Sequence, residues 1–327
     1  GYDHKATSIT ARGAWVCARR HLRELGIDPD KDVMSVVGIG DMSGDVFGNG
    51  LLCSPLFKLI GAFDHRHIFL DPDPAPAASF AERQRLFKLP GSSWDDYDKK
   101  LISQGGGVYP RGAKSITLSP EMKQRLGTEH TALSGEAMIQ LLLQLDVDMI
   151  WNGGIGTYVK ASTEDHREVG DRSNDTVRVD GKDVRARVFA EGGNLGVTQS
   201  GRLEYAGRGG RINNDAFDNS GGVDLSDHEV NLKILFAPVV KAGRLTFEAR
   251  NELLAKAQEE VCDSVLANNQ SQSRLLSLDQ KRSKREPMRF ARAVTFLARV
   301  SPFDRRGLRL PDERALRARA QENEGVY

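Results

Sequence analysis

Residues 33–40, VMSVVGIG, form an apolar run that passes without interruption into the turn Gly38-Ile39-Gly40-Asp41-Met42-Ser43-Gly44. No other stretch narrows the possible folds as much. An apolar strand that ends in glycines ahead of a helix opens the kind of unit from which parallel sheets are built. The turn follows G-x-G-x-x-G except at its last position, where Ser43 stands. Gly38 permits the tight turn, and Gly40 lets a pyrophosphate approach the backbone. Ser43 is small enough for the helix to pack on the strand. The N–H groups at the helix start then favour an anion. Gly38, Gly40, Asp41, Met42 and Ser43 are therefore candidate cofactor-binding residues.

Further short strands support the same frame. HIFL, residues 67–70, ends in Asp71. An acid closing the second strand of a dinucleotide fold binds the ribose 2′-hydroxyl. A carboxylate there repels a 2′-phosphate, so Asp71 favours NAD over NADP. Its separation from Gly40 exceeds the usual spacing of about 20 residues, and Asp71-Pro72-Asp73-Pro74 also reads as a loop opening. VDMIW, residues 147–151, ends in Asn152-Gly153, and VFA, residues 188–190, ends in Glu191-Gly192-Gly193-Asn194. The turn Asn219-Ser220-Gly221-Gly222 follows downstream. Each alone is an ordinary turn. Ligands of open α/β sheets bind at such strand ends, and an Asn amide both donates and accepts, as a carboxamide like that of nicotinamide requires.

The expected fold is α/β: a Rossmann-like, doubly wound, mostly parallel sheet followed by C-terminal helices. Residues 1–30 form a leading helix, with Gly26 as its C-cap. Residues 31–228 form the NAD-binding domain, within which polar residues 72–127 are an extended insertion anchored by Trp94, Tyr97 and Tyr109. Residues 229–327 form a helical region. Ser54-Pro55 restarts a helix through Ile60, a hairpin turns at Asp180-Gly181, and a further helix starts near Ser226.

A formal net charge of +1 gives no global field to attract nucleic acid or a membrane. The basic segment 281–300 lacks aromatic platforms and reads as a solvated or subunit-facing helix. Cys17, Cys53 and Cys262 are dispersed, which suits a reducing cytoplasm, and neither they nor the histidines have metal-ligand spacing. No apolar run reaches transmembrane length. The chain starts at Gly1 and reads as a piece of a longer protein.

Several segments carry a resemblance: AEGGNLGVT, NSGGVDLSDHE, GIGDMSGDVFGNG, AFDHRHIFLDPDP and DMIWNGGIGTYVKAS. In this order they resemble the amino-acid dehydrogenase superfamily, and within it the large bacterial type of NAD-specific glutamate dehydrogenase. The resemblance implies that Gly38, Gly40 and Ser43 hold the phosphates and that Asp71 holds the ribose. It implies that Asn194 holds the nicotinamide amide, with Thr7 near the ring. Ser226 would bind the substrate α-carboxylate, with Asn219 beside it. Gly193 and Ser220 stand where alanines are usual, and Pro55 interrupts the first crossover. The implied reaction is NAD-dependent oxidative deamination of L-glutamate to 2-oxoglutarate and ammonia, in a homo-oligomer. The family's proton-transferring Lys and Asp are expected upstream, so no catalytic residue is assigned in this chain. The rival readings are a leucine, phenylalanine or valine dehydrogenase, and a dinucleotide-binding module without catalysis.

Overall fold

Strands whose two faces are both covered lack hydrophobic alternation, and residues 34–39 have that character. In the computed structural model, which describes residues 1–301, 308–312, 314, 315, 317 and 318, they form the middle of a seven-stranded sheet. From edge to edge the sheet runs Arg211–Ile212 (β11), Val188–Glu191 (β10), Met149–Asn152 (β7), Met34–Ile39 (β1), Phe57–Phe63 (β2), His67–Leu70 (β3) and Gly107–Pro110 (β4). The strands from β11 to β2 are parallel, β3 runs antiparallel to β2, and β4 runs antiparallel to β3. Ile116–Thr117 (β5) pairs with Ala132–Leu133 (β6), and Val159–Lys160 (β8) with Val179–Asp180 (β9), outside this sheet. The chain leaves β1 toward β2 on one side and reaches β7 on the other, which makes β1/β7 the topological switch point. This is the Rossmann-like α/β class expected.

Helices cover both faces. The short α1 (His4–Thr7) and α2 (Ile9–Glu24) precede the sheet, and α3 (Asp45–Leu51) makes the first crossover. Then come α4 (Pro76–Lys88), α5 (Pro120–Leu126), α6 (Gly135–Leu143), α7 (His166–Val169), α8 (Gln199–Gly207) and α9 (Asp215–Asp218). The chain continues through α10 (Ser220–Lys241), α11 (Phe247–Arg285) and α12 (Pro287–Val300). Val36, Leu59, Met149 and Trp151 pack against Ala14 and Leu22 of α2 and Phe47 of α3. Val37, Ile60 and Ile150 pack on the opposite face against Leu142 of α6. Tyr2, Ile9, Leu225, Val261 and Val265 form a third cluster that ties α10 and α11 to the start of the chain. No helix among the described residues is long and apolar enough to cross a membrane.

Four local expectations are corrected. Residues 54–60 do not restart a helix; Pro55 lies in a turn, and Phe57 begins β2, whose residues are covered from both sides. Asp180-Gly181 makes no hairpin, since β9 pairs in parallel with β8 and a 3-10 turn follows. Residues 72–127, expected as an insertion lying over one edge of the sheet, instead supply β4, the edge itself, and α4, whose buried Arg83 donates to Leu51 O at 3.2 Å and Ser79 Oγ at 2.7 Å. The helix expected near Ser226 begins at Ser220 instead. Asn269 of α11 donates to Phe217 O at 3.1 Å and Ser220 Oγ at 3.0 Å, which pulls the small residues 220–222 into the first helical turn. That contact spans a sequence distance no local pattern reveals. The end of the expected C-terminal helical region, from residue 302, falls largely outside the described residues.

Candidate functional site

Because β10, β7, β1 and β2 run parallel, their carboxyl ends lie along one edge. Backbone bonds tie these tips together: Gly40 N–H to Phe63 O at 2.8 Å, Gly153 N–H to Ile39 O at 2.9 Å, and Gly193 N–H to Asn152 O at 2.9 Å. The candidate residues from β1, β7 and β10 thus share one crevice at the switch point.

The turn after β1 has the conformation its glycines imply. Gly40 sits at φ +135°, and a Cβ on it would meet the Phe47 ring of α3 at 2.7 Å. A Cβ on Gly38 would meet the same ring at 2.6 Å. Trp94 donates its indole N–H to Gly40 O at 2.9 Å and fixes the turn from outside. Met42 is buried and serves the core. Asp41 Oδ1 accepts from Ser43 N at 2.8 Å and from the Ser43 hydroxyl, so both side chains shape the loop. Gly44, the N-cap of α3, offers no side-chain acceptor. The first N–H groups of α3 therefore have no cap and remain for a bound anion.

Asp71 is not in this crevice. It follows β3, which runs against β2, so it lies back along the sheet, with its N–H on Ile60 O at 2.8 Å. The carboxylate is fully buried and bonded to Ser103. Sequence spacing could not distinguish an antiparallel HIFL from a second parallel strand. The acid that does close the second parallel strand is Asp64. Its Oδ1 accepts from Arg66 N at 2.7 Å and His67 N at 2.6 Å. Its Oδ2 is buried, accepts no hydrogen bond and lies 4.0 Å from Arg66 Nε as an ion pair. The buried Oδ2 of Asp71 also accepts no hydrogen bond, so what distinguishes Asp64 is its place at the tip of a parallel strand beside β1. Asp41, Asp64 and His65 are also the one group of potential metal ligands among the described residues, with ligand atoms within 4.8 Å of one another.

At the other end of the crevice, Asn219 donates its amide to Asn194 Oδ1. These residues, with Asp215, Ser220, Val223 and Asp227, line a hollow of about 390 Å³. Two segments singled out separately in the sequence are thus joined. Asn152, by contrast, is wholly buried beneath residues 191–196: its Oδ1 accepts from Gly154 N at 3.3 Å, and its Nδ2 is without a partner. Gly153 packs against Phe47, so both support the crevice from below. Thr7 is also buried, and its hydroxyl donates to Asp3 O at 2.9 Å. Thr10 of α2 faces Gly222, where an added Cβ would lie 2.5 Å from its Oγ. Ser226, in the second turn of α10, hydrogen-bonds His4 Nε2 at 3.1 Å.

Buried acids hold these loops, in an arrangement that no local sequence pattern signals. Asp218 accepts from Glu191 N at 2.9 Å and Asn213 Nδ2 at 2.9 Å, and burial raises its pKa to about 6. Glu191 is paired with Arg202 at 2.6 Å, yet burial raises its pKa to about 8 against the opposing pull of that guanidinium. An acid raised in this way contributes stability that is fully present below its ordinary value of 4.5 and lost as pH rises through about 8. Between those limits the unfolding free energy is expected to fall as pH rises. Chemical denaturation across that window should show this slope, flattened in Glu191→Gln. Parallel slopes for the two proteins would refute it.

The family described as bacterial NAD-glutamate dehydrogenase, catalytic domain, matches residues 1–279. The NAD-specific glutamate dehydrogenase of Halomonas elongata is 52% identical over 326 residues, which is 100% of this chain and 20% of that protein. The protein of the same name from Pseudomonas aeruginosa is 53% identical over 326 residues, with the same shares. The chain thus spans about a fifth of the length of these relatives. Among solved structures, a Plasmodium falciparum glutamate dehydrogenase aligns with a TM-score of 0.45 at 13% identity, over 86% of this chain and 52% of that one.

Proposed function

The chain belongs to the bacterial NAD-glutamate dehydrogenase catalytic-domain family, and on that premise we propose that it carries the NAD site of an enzyme that oxidatively deaminates L-glutamate. The observation that carries this reading is the buried Asp64 carboxylate at the tip of β2 beside the glycine turn of β1, whose Oδ2 accepts no hydrogen bond and lies 4.0 Å from Arg66 Nε. A buried carboxylate there suits a vicinal diol and disfavours a 2′-phosphate, which selects NAD over NADP.

Bound NAD would supply the hydride acceptor. The chain's own groups bind and orient. Asp64 takes the adenosine ribose, and the turn with the uncapped start of α3 takes the pyrophosphate. The Asn194–Asn219 pair receives the nicotinamide carboxamide, because one amide oxygen and one amide N–H match its two functions. Ser226, with Thr10 and His4 nearby, is assigned the substrate carboxylate. Proton transfer is assigned to a Lys and an Asp in another part of the longer protein. Exposed Val230, Ile234 and Leu235 on α10 support an assembly with that part or with further copies. The cysteines are all unpaired, in keeping with a reducing cytoplasm.

The test is steady-state assay of the intact protein. L-Glutamate with NAD should yield NADH. Turnover of leucine, phenylalanine or valine instead, or NAD binding with no turnover of any of these, would replace this reading. Asn194→Ala should lower hydride transfer about tenfold to a hundredfold, through a misplaced ring, with a smaller change in the KM for glutamate. An unchanged single-turnover rate would remove the assignment.

A further inference from the structure

The turn and crossover, residues 38–51, contain Asp41 and Asp45 and no lysine or arginine. Asp64 adds a third carboxylate at the same strand tips. Ser43 N–H is already bonded to Asp41 and is not free for a phosphate. A pyrophosphate brings further negative charge into this acidic corner. The uncapped α3 offers only partial positive charge against it.

A cation does reach the corner, from a distant part of the chain. Lys5 of α1 donates its ammonium to Ser43 O at 2.9 Å, inside the turn. The backbone there is fixed: Asn49 of α3 donates to Lys5 O at 3.0 Å and to Asp45 Oδ1 at 2.8 Å. The same ammonium lies 5.2 Å from the Phe87 ring centroid. Among the described residues it forms no ion pair. An ammonium has three donors, and the carbonyl takes one.

We propose that Lys5 is a cofactor-binding residue that supplies the counter-charge for the dinucleotide pyrophosphate over the β1–α3 turn. This rests on the NAD site assigned above and adds to it a contact from the leading segment. One proton of the ammonium stays on Ser43 O while another bonds a phosphate oxygen. Asp41 and Asp45, tied to Ser43 and Asn49, are kept from capturing the lysine themselves.

The experiment measures binding of NAD and of adenosine, which lacks phosphate, to the protein and to Lys5→Gln and Lys5→Arg, at several salt concentrations. Lys5→Gln should weaken NAD about tenfold, as loss of one charge-assisted hydrogen bond does. Adenosine should bind as before, Lys5→Arg should retain most of the NAD affinity, and the salt dependence should be shallower in Lys5→Gln. Undiminished NAD binding in Lys5→Gln, or an equal loss for adenosine, would overturn the proposal. Failure of the unsubstituted protein to bind NAD would overturn the site itself and the role of Lys5 with it, and that outcome is recognised before any variant is compared.

Discussion

Asp64→Asn should bind NAD about tenfold to a hundredfold more weakly, and its preference for NAD over NADP should shrink or reverse. The asparagine keeps an oxygen for the Arg66 and His67 N–H groups that Asp64 Oδ1 now accepts. The turn therefore survives. What changes is the second oxygen, now buried with no hydrogen bond and 4.0 Å from Arg66 Nε. Hydrogen bonds to a charged group contribute about 1.5–3 kcal/mol, and each 1.4 kcal/mol is tenfold in affinity. A 2′-phosphate gains where the ribose loses, because the repelling charge is gone. Asp71→Ala gives the opposite profile. It strips a buried acceptor from Ser103 and should lower stability with little change in the affinity of the folded protein. Direct titration of NAD and NADP against each variant reads both effects. Equal weakening of the two cofactors in Asp64→Asn would remove the ribose role.

The second large effect is expected at Gly153. A Cβ there would lie 2.5 Å from Phe47 Cα and 2.6 Å from Phe47 N. These are backbone atoms of α3, so no side chain can rotate away. Gly153→Ala must lift α3 off the tip of β7, which costs about 1–3 kcal/mol or more by the measure of overpacked cores. The same shift moves the uncapped N–H groups of α3, so NAD affinity should fall together with stability. Gly112→Ala is the control, since a Cβ there meets nothing within 4 Å. Denaturant unfolding of both variants, with NAD titration of the folded proteins, separates these outcomes. A Gly153→Ala protein as stable as Gly112→Ala would show that the close approach of α3 to β7 is not needed.

What the sequence made legible depended on range. The β1 turn could be read because Gly38 and Gly40 are both required by Phe47 of the helix that follows them, a short way along the chain. The strands at residues 147–151 and 188–190 were legible as apolar runs ending in small residues, and both end at the expected edge. Asp71 was misplaced because a short apolar strand carries no mark of its direction. HIFL would look the same parallel or antiparallel, and the true second strand, FKLIGAF, was masked by Ser54-Pro55, a pair that also opens helices. Thr7 and Thr10 are both small hydroxyls near the start of the chain, and only the packing of α2 on α10 separates the buried Thr7 from Thr10, which faces Gly222. The Asp218, Glu191 and Asn269 network was invisible for a different reason. Its members come from a strand tip, a short helix and a long helix, and only folding makes neighbours of them.

The most direct test of the central claim is a structure of the protein with NAD bound. The adenosine ribose should lie within hydrogen-bond distance of Asp64 Oδ2, the pyrophosphate over residues 40–45, and the carboxamide against Asn194 and Asn219. A cofactor whose ribose lies at Asp71, or whose ring lies away from the Asn194–Asn219 pair, would contradict the account.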